Sequence, residues 1–514
     1  MNELRRRTFL QLLGLAATGR LLPACSGPAS TNRSSASSLS DPSDGSVQDV
    51  VVLGGGLAGL CAAYELRARG YNIVAILEAQ ARTGGRVYTL RDGFVDGQYA
   101  ELGATRIADS HSFTQYYAFD VFDLPKAQYD TTSPSAYVLK GQRFVHEDGT
   151  AWPSSLDLTS AESALGATAL IHGYENFPEL GDVTDPSWPS GRALDYDQYT
   201  YVQYLQQAAA SGKLADDDVV LIDRANNGSS VQTEGALYAL MGELADAKWK
   251  KTYAIKGGND QLPAAFAASL GDLIQTQCVV QALAQDDGGV TVTYQAADGS
   301  TQTVQADLAV CALPFPPLRR VNLDNAGLAA DKLDVIQNLQ MQPVSRCNLQ
   351  LTSRFWQSQG VGGLKLARTD LPIERLWDLS SIQDGDSGLL AAYMQDGRQF
   401  ASLLLPSEQG FPGPVVTDPS MSPAVDFVLS GVEQVFPEIR AQFQRALFKV
   451  WQNDPWAGGG WSMYAPGDMA QRFPAAKRRE GRIFFCGEHT SIWSGWMQGA
   501  LESANRVVAE ITAG

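Results

Sequence analysis

Gly54, Gly56 and Gly59 fall at the spacing G-x-G-x-x-G, and Glu78 stands 24 residues after the first of them. That combination can hold a dinucleotide. Gly54 permits a tight turn, Gly56 lets a pyrophosphate approach the backbone, and Gly59 lets a helix pack close to a strand. Leu57 and Ala58 fill the intervening positions and lend their free N–H groups at the helix start. An acid at position 78 would accept hydrogen bonds from ribose hydroxyls, and it disfavours a 2′-phosphate there. The flanking segments supply the required context. DVVVL (49–53) is a β-branched run of the kind buried in a parallel sheet. LCAAYELRARG carries apolar residues at helical spacing and stops at Gly70. YNIVAIL (71–77) is a second strand that ends at Glu78. This β–α–β unit fits NAD and FAD equally well.

The chain has 514 residues, 44% apolar and 18% charged, with 39 basic and 56 acidic side chains for a net charge of −17. Such a chain can bury large cores, and fibrous or disordered classes are excluded for its bulk. The acidic balance argues against nucleic acid or a polybasic membrane patch as partner. Four histidines, none at ligand spacing, give no metal site.

The first 46 residues read as an address and a tether. Arg5–Arg7 precede a short apolar run from Phe9, too short to span a bilayer. Arg6-Arg7-Thr8-Phe9-Leu10 resembles a twin-arginine export signal, which implies an exported, periplasmic bacterial protein. Leu22-Pro23-Ala24-Cys25 resembles a lipoprotein processing box that would anchor the chain through Cys25; an ordinary signal ending in Ala-Cys is the alternative. The Ser-rich stretch that follows is a flexible linker. The remaining cysteines, Cys61, Cys278, Cys311, Cys347 and Cys486, are scattered and read as small buried hydrophobes.

A resemblance decides between the two dinucleotides. Glu78-Ala79-Gln80-Ala81-Arg82-Thr83-Gly84-Gly85-Arg86 resembles the E-x-x-x-R-x-G-G-R stretch of the flavin amine oxidase family, which includes monoamine oxidases and L-amino acid oxidases. Gly487-Glu488, followed by Gly495-Trp496-Met497 and Glu502-Ser503-Ala504, resembles that family's closing flavin segment, with Ala504 where Gly is commoner. Lys256-Gly257-Gly258 to Pro263 is similar to its G-G-x-x-x-L-P loop. The resemblance implies FAD, held by Glu78, Ala79, Arg82, Gly85, Arg86, Glu488, Gly495, Trp496 and Met497, and by the Gly103-Ala104-Thr105-Arg106 loop. Val280 is implied as an adenine contact. No cysteine occurs at or beside Ser462, where monoamine oxidases attach flavin, so noncovalent FAD is expected.

The implied architecture is α/β: a Rossmann-type FAD-binding domain from segments 47–108, 248–322 and 450–514. The substrate domain is α+β, with 109–247 as its helical part and 323–449 as the rest. The subfamily closest to the chain is that of L-amino acid oxidases. It carries an Arg where Arg106 falls and uses it to clamp the substrate carboxylate, which suits a guanidinium fork. Tyr393 falls where a Tyr assists that clamp. Trp496 is one expected wall of an aromatic cage, with Trp461, Trp377 and Trp493 as further candidates. Arg346 stands where the family usually has a Lys implicated in flavin reoxidation, which leaves the electron acceptor open. The implied activity is oxidative deamination of an L-amino acid, with O2 as acceptor and a homodimer as assembly. An amine oxidase or dehydrogenase acting on a carboxylate-free amine, or a non-catalytic FAD-binding subunit, are the alternatives. Tryptophan and tyrosine content favours aromatic or large apolar substrates; the net negative charge would steer cationic ones.

Overall fold

The computed structural model describes residues 47–513 apart from 176–179, 184, 186, 187, 210, 247, 248, 411 and 412. The export signal, the tether and Cys25 lie outside the described residues. Residues 47–512 form one compact unit.

One half is a five-stranded parallel sheet in the order Ile274–Gln275, Asn72–Leu77, Asp49–Leu53, Leu308–Cys311, Ile483–Phe485. Strands from the start, middle and end of the chain thus lie side by side. Val50 to Leu53 are fully buried, as a central strand covered on both faces requires. Helix Leu57–Arg67 follows the first strand directly, and helix Met497–Thr512 packs against it. Antiparallel strands Val279–Asp286 and Gly289–Gln295 form a hairpin, extended by Thr301–Ala306.

The other half is a seven-stranded sheet. Its order is Phe443–Val450, Ser345–Leu351, Gly388–Met394, Arg375–Asp378, Ala367–Thr369, Ser135–Leu139, Gln142–His146. Its pairs are antiparallel except Ala367–Thr369 with Ser135–Leu139. Helix Pro423–Val435 buries Val425, Val428, Leu429 and Val432 in the core on this sheet. The helical segment is made of short pieces, the longest being Asp217–Asn227 and Ala236–Asp246. Within it a turn of α-helix, Tyr201–Gln203, runs into a π-helix, Tyr204–Ala208. Tyr201, Tyr204 and Leu205 are all buried there, so packing sets the local winding.

Candidate active site

The glycine loop is shaped as its spacing requires. Gly54 has φ +101, a conformation that L side chains rarely adopt. A Cβ on Gly59 would lie 2.0 Å from the Gly54 carbonyl oxygen, so only hydrogen allows the helix to sit this close. A Cβ on Gly56 would meet nothing within 4 Å, because that position faces an open cleft. Gly54, Gly56, Leu57, Ala58, Glu78 and Ala79 line one end of this cleft. Glu78 accepts the backbone N–H groups of Gly55 (2.9 Å) and Gln80 (2.8 Å), which fixes its carboxylate at the strand end. Burial raises its pKa.

The cleft continues past Gly85 and Arg86 to Gly103, Ala104, Glu488, Gly495, Trp496 and Met497, and holds about 1220 Å³ of atom-free space including its mouth. Arg86 Nη1 donates to Glu488 at 2.7 Å, closing a contact between residues 402 positions apart. Glu488 is buried and also accepts from Gly495 N (2.9 Å) and Ser494 Oγ (2.8 Å). Burial alone would raise its pKa; the Arg86 charge and these donors overcome that and hold it at about 2. The carboxylate is therefore a structural anion, not a solvated loop acid. Gln498 Oε1 accepts the backbone N–H groups of Phe113 and Thr114 and sets the start of the last helix at the cleft. An extended cleft with a helix N-terminus, backbone donors and an open glycine face at one end fits a dinucleotide. None of the five described cysteines lines it.

Five expected contacts do not line this cleft: Gly59, Arg82 and Val280, and also Thr105 and Arg106, which line the cavity beside it. Gly59 is buried within the first turn of helix Leu57–Arg67 and acts through packing. Arg82 donates to the Gly85 and Thr83 carbonyls and lies 4.1 Å over the Tyr88 ring, so it braces the loop rather than lining the cleft. Val280 lines neither this cleft nor the cavity beside it; it sits where its strand is bulged, opposite Tyr294.

That second cavity opens from the first, and Gly103, Ala104, Arg346, Tyr393, Trp461, Gly495, Trp496 and Met497 line both. Thr105 and Arg106 line the second alone. Three indole rings surround the Arg106 guanidinium: Trp249 at 5.1 Å, Trp377 at 4.9 Å and Trp496 at 4.9 Å. Trp496 and Trp377, expected to cage a substrate amine, thus hold a guanidinium as well. Trp493 lines neither cavity. Trp249 carried no motif and was not expected; it meets Trp496 edge to face at 5.5 Å.

Arg346 is buried and donates through Nη1 to Glu101 O (2.7 Å), Gly103 O (2.9 Å) and Thr105 Oγ1 (2.6 Å). It pins the loop that carries Arg106. Tyr393 is its register partner, with the Arg346 guanidinium 4.6 Å from the ring. On the far side of Tyr393 stands Arg375, 4.9 Å from the same ring.

With this geometry in place the comparisons are decisive. The model of flavin-containing amine oxidoreductases matches residues 57–512. The chain belongs to that family. Its relatives include an L-amino-acid oxidase of Siganus canaliculatus, 27% identical over 90% of this chain and 85% of that one. The fold is shared with wild-type putrescine oxidase bound to putrescine (TM-score 0.72, 20% identity, 91% of this chain and 99% of that one). It is shared equally with cyclohexylamine oxidase from Brevibacterium oxydans (TM-score 0.73, 19% identity, 91% and 100%). The family binds FAD, so the cleft is a flavin site and the protein is an FAD-dependent amine oxidoreductase.

Proposed function

We propose that this amine oxidoreductase acts on L-amino acids, converting them with O2 and water to 2-oxo acids, ammonia and hydrogen peroxide. One observation carries the reading: the cavity that opens from the flavin cleft presents Arg106 inside a wall of three indoles. A carboxylate-free amine has no group for a guanidinium to bind, whereas an amino acid places its carboxylate there in a bidentate pair. Relatives named L-amino-acid oxidase favour the same substrate class. The two amine oxidases of like fold, below 25% identity, speak to architecture only.

Bound FAD supplies a two-electron acceptor, which is what converting an amine to an imine requires. The chain's own contribution is positioning. Arg106 and Tyr393 would hold the carboxylate, and the indole faces of Trp496 and Trp461 would exclude water beside the reacting carbon. The imino acid then hydrolyses in water to the 2-oxo acid and ammonia.

Arg106→Met tests the assignment. Loss of two charge-assisted hydrogen bonds, each worth about 1.5–3 kcal/mol, lowers kcat/KM for L-amino acids by about 10² or more. Simple amines gain nothing from Arg106 and keep their rate. L-amino acid turnover unchanged in this variant, or anaerobic flavin bleaching by simple amines alone, would refute the proposal.

A further inference from the structure

Strand register sets a row of cations across the seven-stranded sheet, of which Arg346 and Arg375 line the substrate cavity. Arg346 pairs with Tyr393, Tyr393 with Arg375, and Arg375 with Arg368. Residues directly opposite in neighbouring strands share a face, so these side chains project together. Lys365 joins them from the residues just before the Ala367–Thr369 strand. Like charges placed directly opposite one another disfavour a sheet. This row therefore needs a counter-charge.

Among the described residues the acids that act on these two cations, Glu374 on Arg375 and Asp148 on Lys365, do so only at a distance, with no hydrogen bond or ion pair to either. Arg375 is buried and donates through Nη1 to Asn226 O at 3.0 Å, but its Nε and Nη2 have no partner. Lys365 makes no ion pair among the described residues, and its ammonium feels Arg368, Arg106 and Arg375 together. Two acids also line the cavity. Burial raises the Glu234 carboxyl to about 8, which leaves it uncharged at neutral pH. Glu243 stands 3.5 Å from His172. Neither reaches the cations by any hydrogen bond or ion pair.

We infer that Lys365 and Arg375 form a second anion-binding locus, so that the preferred substrates are L-amino acids with an acidic side chain, L-glutamate or L-aspartate. This rests on the L-amino acid reading above and extends it. One carboxylate goes to Arg106, and the side-chain carboxylate takes the vacant Arg375 N–H groups and the Lys365 ammonium. A guanidinium with two unused donors is the fork that a planar carboxylate fits. The expectation of aromatic or apolar substrates does not suit this locus, and cationic side chains would be repelled by it.

The test uses the FAD-loaded protein and two readouts. In the first, glutarate and valerate are titrated against the flavin absorption spectrum as unreactive probes, and succinate and butyrate likewise. The dicarboxylate should bind at least tenfold more tightly than its monocarboxylate match. Lys365→Met and Arg375→Met should each erase that gap and leave valerate binding unchanged, while Arg375→Lys should restore part of it. In the second, anaerobic flavin reduction is followed with L-glutamate, L-aspartate, L-leucine and simple amines. The acidic pair should react with the highest efficiency, and L-leucine should report that each variant is folded. Equal binding of glutarate and valerate, or variants that weaken L-leucine and L-glutamate alike, would overturn the inference. So would L-leucine outperforming the acidic pair, an outcome that leaves the L-amino acid reading standing. Reduction by simple amines alone would overturn both.

Discussion

Two alanine substitutions, three residues apart at the start of one helix, should separate cofactor binding from folding. In Gly59→Ala the new Cβ would stand 2.0 Å from the Gly54 carbonyl oxygen, against a shortest tolerated separation near 3.0 Å. The helix has to withdraw by about 1 Å, and Val52 and Ala312, each 3.2 Å from the new atom, block the sideways escape. Overpacking of this kind costs about 1–3 kcal/mol. The same retreat draws the helix N-terminus away from the cleft, so FAD affinity falls together with apoprotein stability. Gly56→Ala differs in kind. Its φ of −73 suits alanine and its Cβ meets no protein atom within 4 Å, so the apoprotein should lose less than about 1 kcal/mol. The methyl nevertheless projects into the cleft where the pyrophosphate must approach the backbone. Losing one charge-assisted hydrogen bond there, about 1.5–3 kcal/mol, weakens FAD by roughly ten- to a hundredfold. Far-UV circular dichroism of the unfolding apoproteins reports stability, and quenching of FAD fluorescence on titration reports affinity. Gly56→Ala binding FAD within about threefold of the parent, or Gly59→Ala apoprotein as stable as the parent, would refute the assignment of the two glycines.

Two titrating lysines give further expectations. Lys332 is fully buried; Nζ donates to the Ala476 (3.0 Å) and Arg478 (2.7 Å) carbonyls, and burial lowers its pKa to about 7 despite nearby Glu480. Between about pH 7 and about pH 10 the unfolded chain holds the extra proton, so stability rises with pH, and Lys332→Met should flatten that rise by up to about 1.4 kcal/mol per unit in urea unfolding; an unchanged slope would contradict it. Lys365 is likewise lowered to about 7, by burial first and then by Arg368, Arg106 and Arg375, with only Asp148 opposing, while Glu234 and Glu243 also line the cavity. Glutarate affinity should therefore fall as pH rises above about 7, by at most about tenfold per unit, and Lys365→Met should remove the dependence.

The flavin cleft was legible because its parts are local in sequence. A turn, the helix after it and an acid at the next strand end occupy one stretch, 54–78, and their spacing alone fixes their geometry. Arg86 and Glu488 were each readable from a motif, although nothing in the sequence said that they meet. The substrate cavity is different. Arg346, Arg375 and Tyr393, which line it, and Arg368 beside Arg375 come from four strands and become neighbours only through register. A slip of one residue would turn any of them to the opposite face, and no local pattern encodes that choice. Trp249 shows the same limit: it lies outside helix and strand, and it matters only because Arg106 lies over it.

If the inferred acidic substrates are right, net charge is a poor guide for a related reason. A total of −17 suggests steering of cations, yet it sums mostly solvated side chains whose fields fade over a Debye length of about 8–10 Å. The lining of the cavity is set by a few buried groups that solvent screens far less. There Arg375 keeps two nitrogens without acceptors, and Lys365 is pressed by three guanidiniums. Such an arrangement is costly to fold around, and its cost falls when an anion arrives. The sign of a ligand is therefore better read from the buried donors left unmatched than from the charge of the chain, and in this cavity those donors are cations facing the substrate.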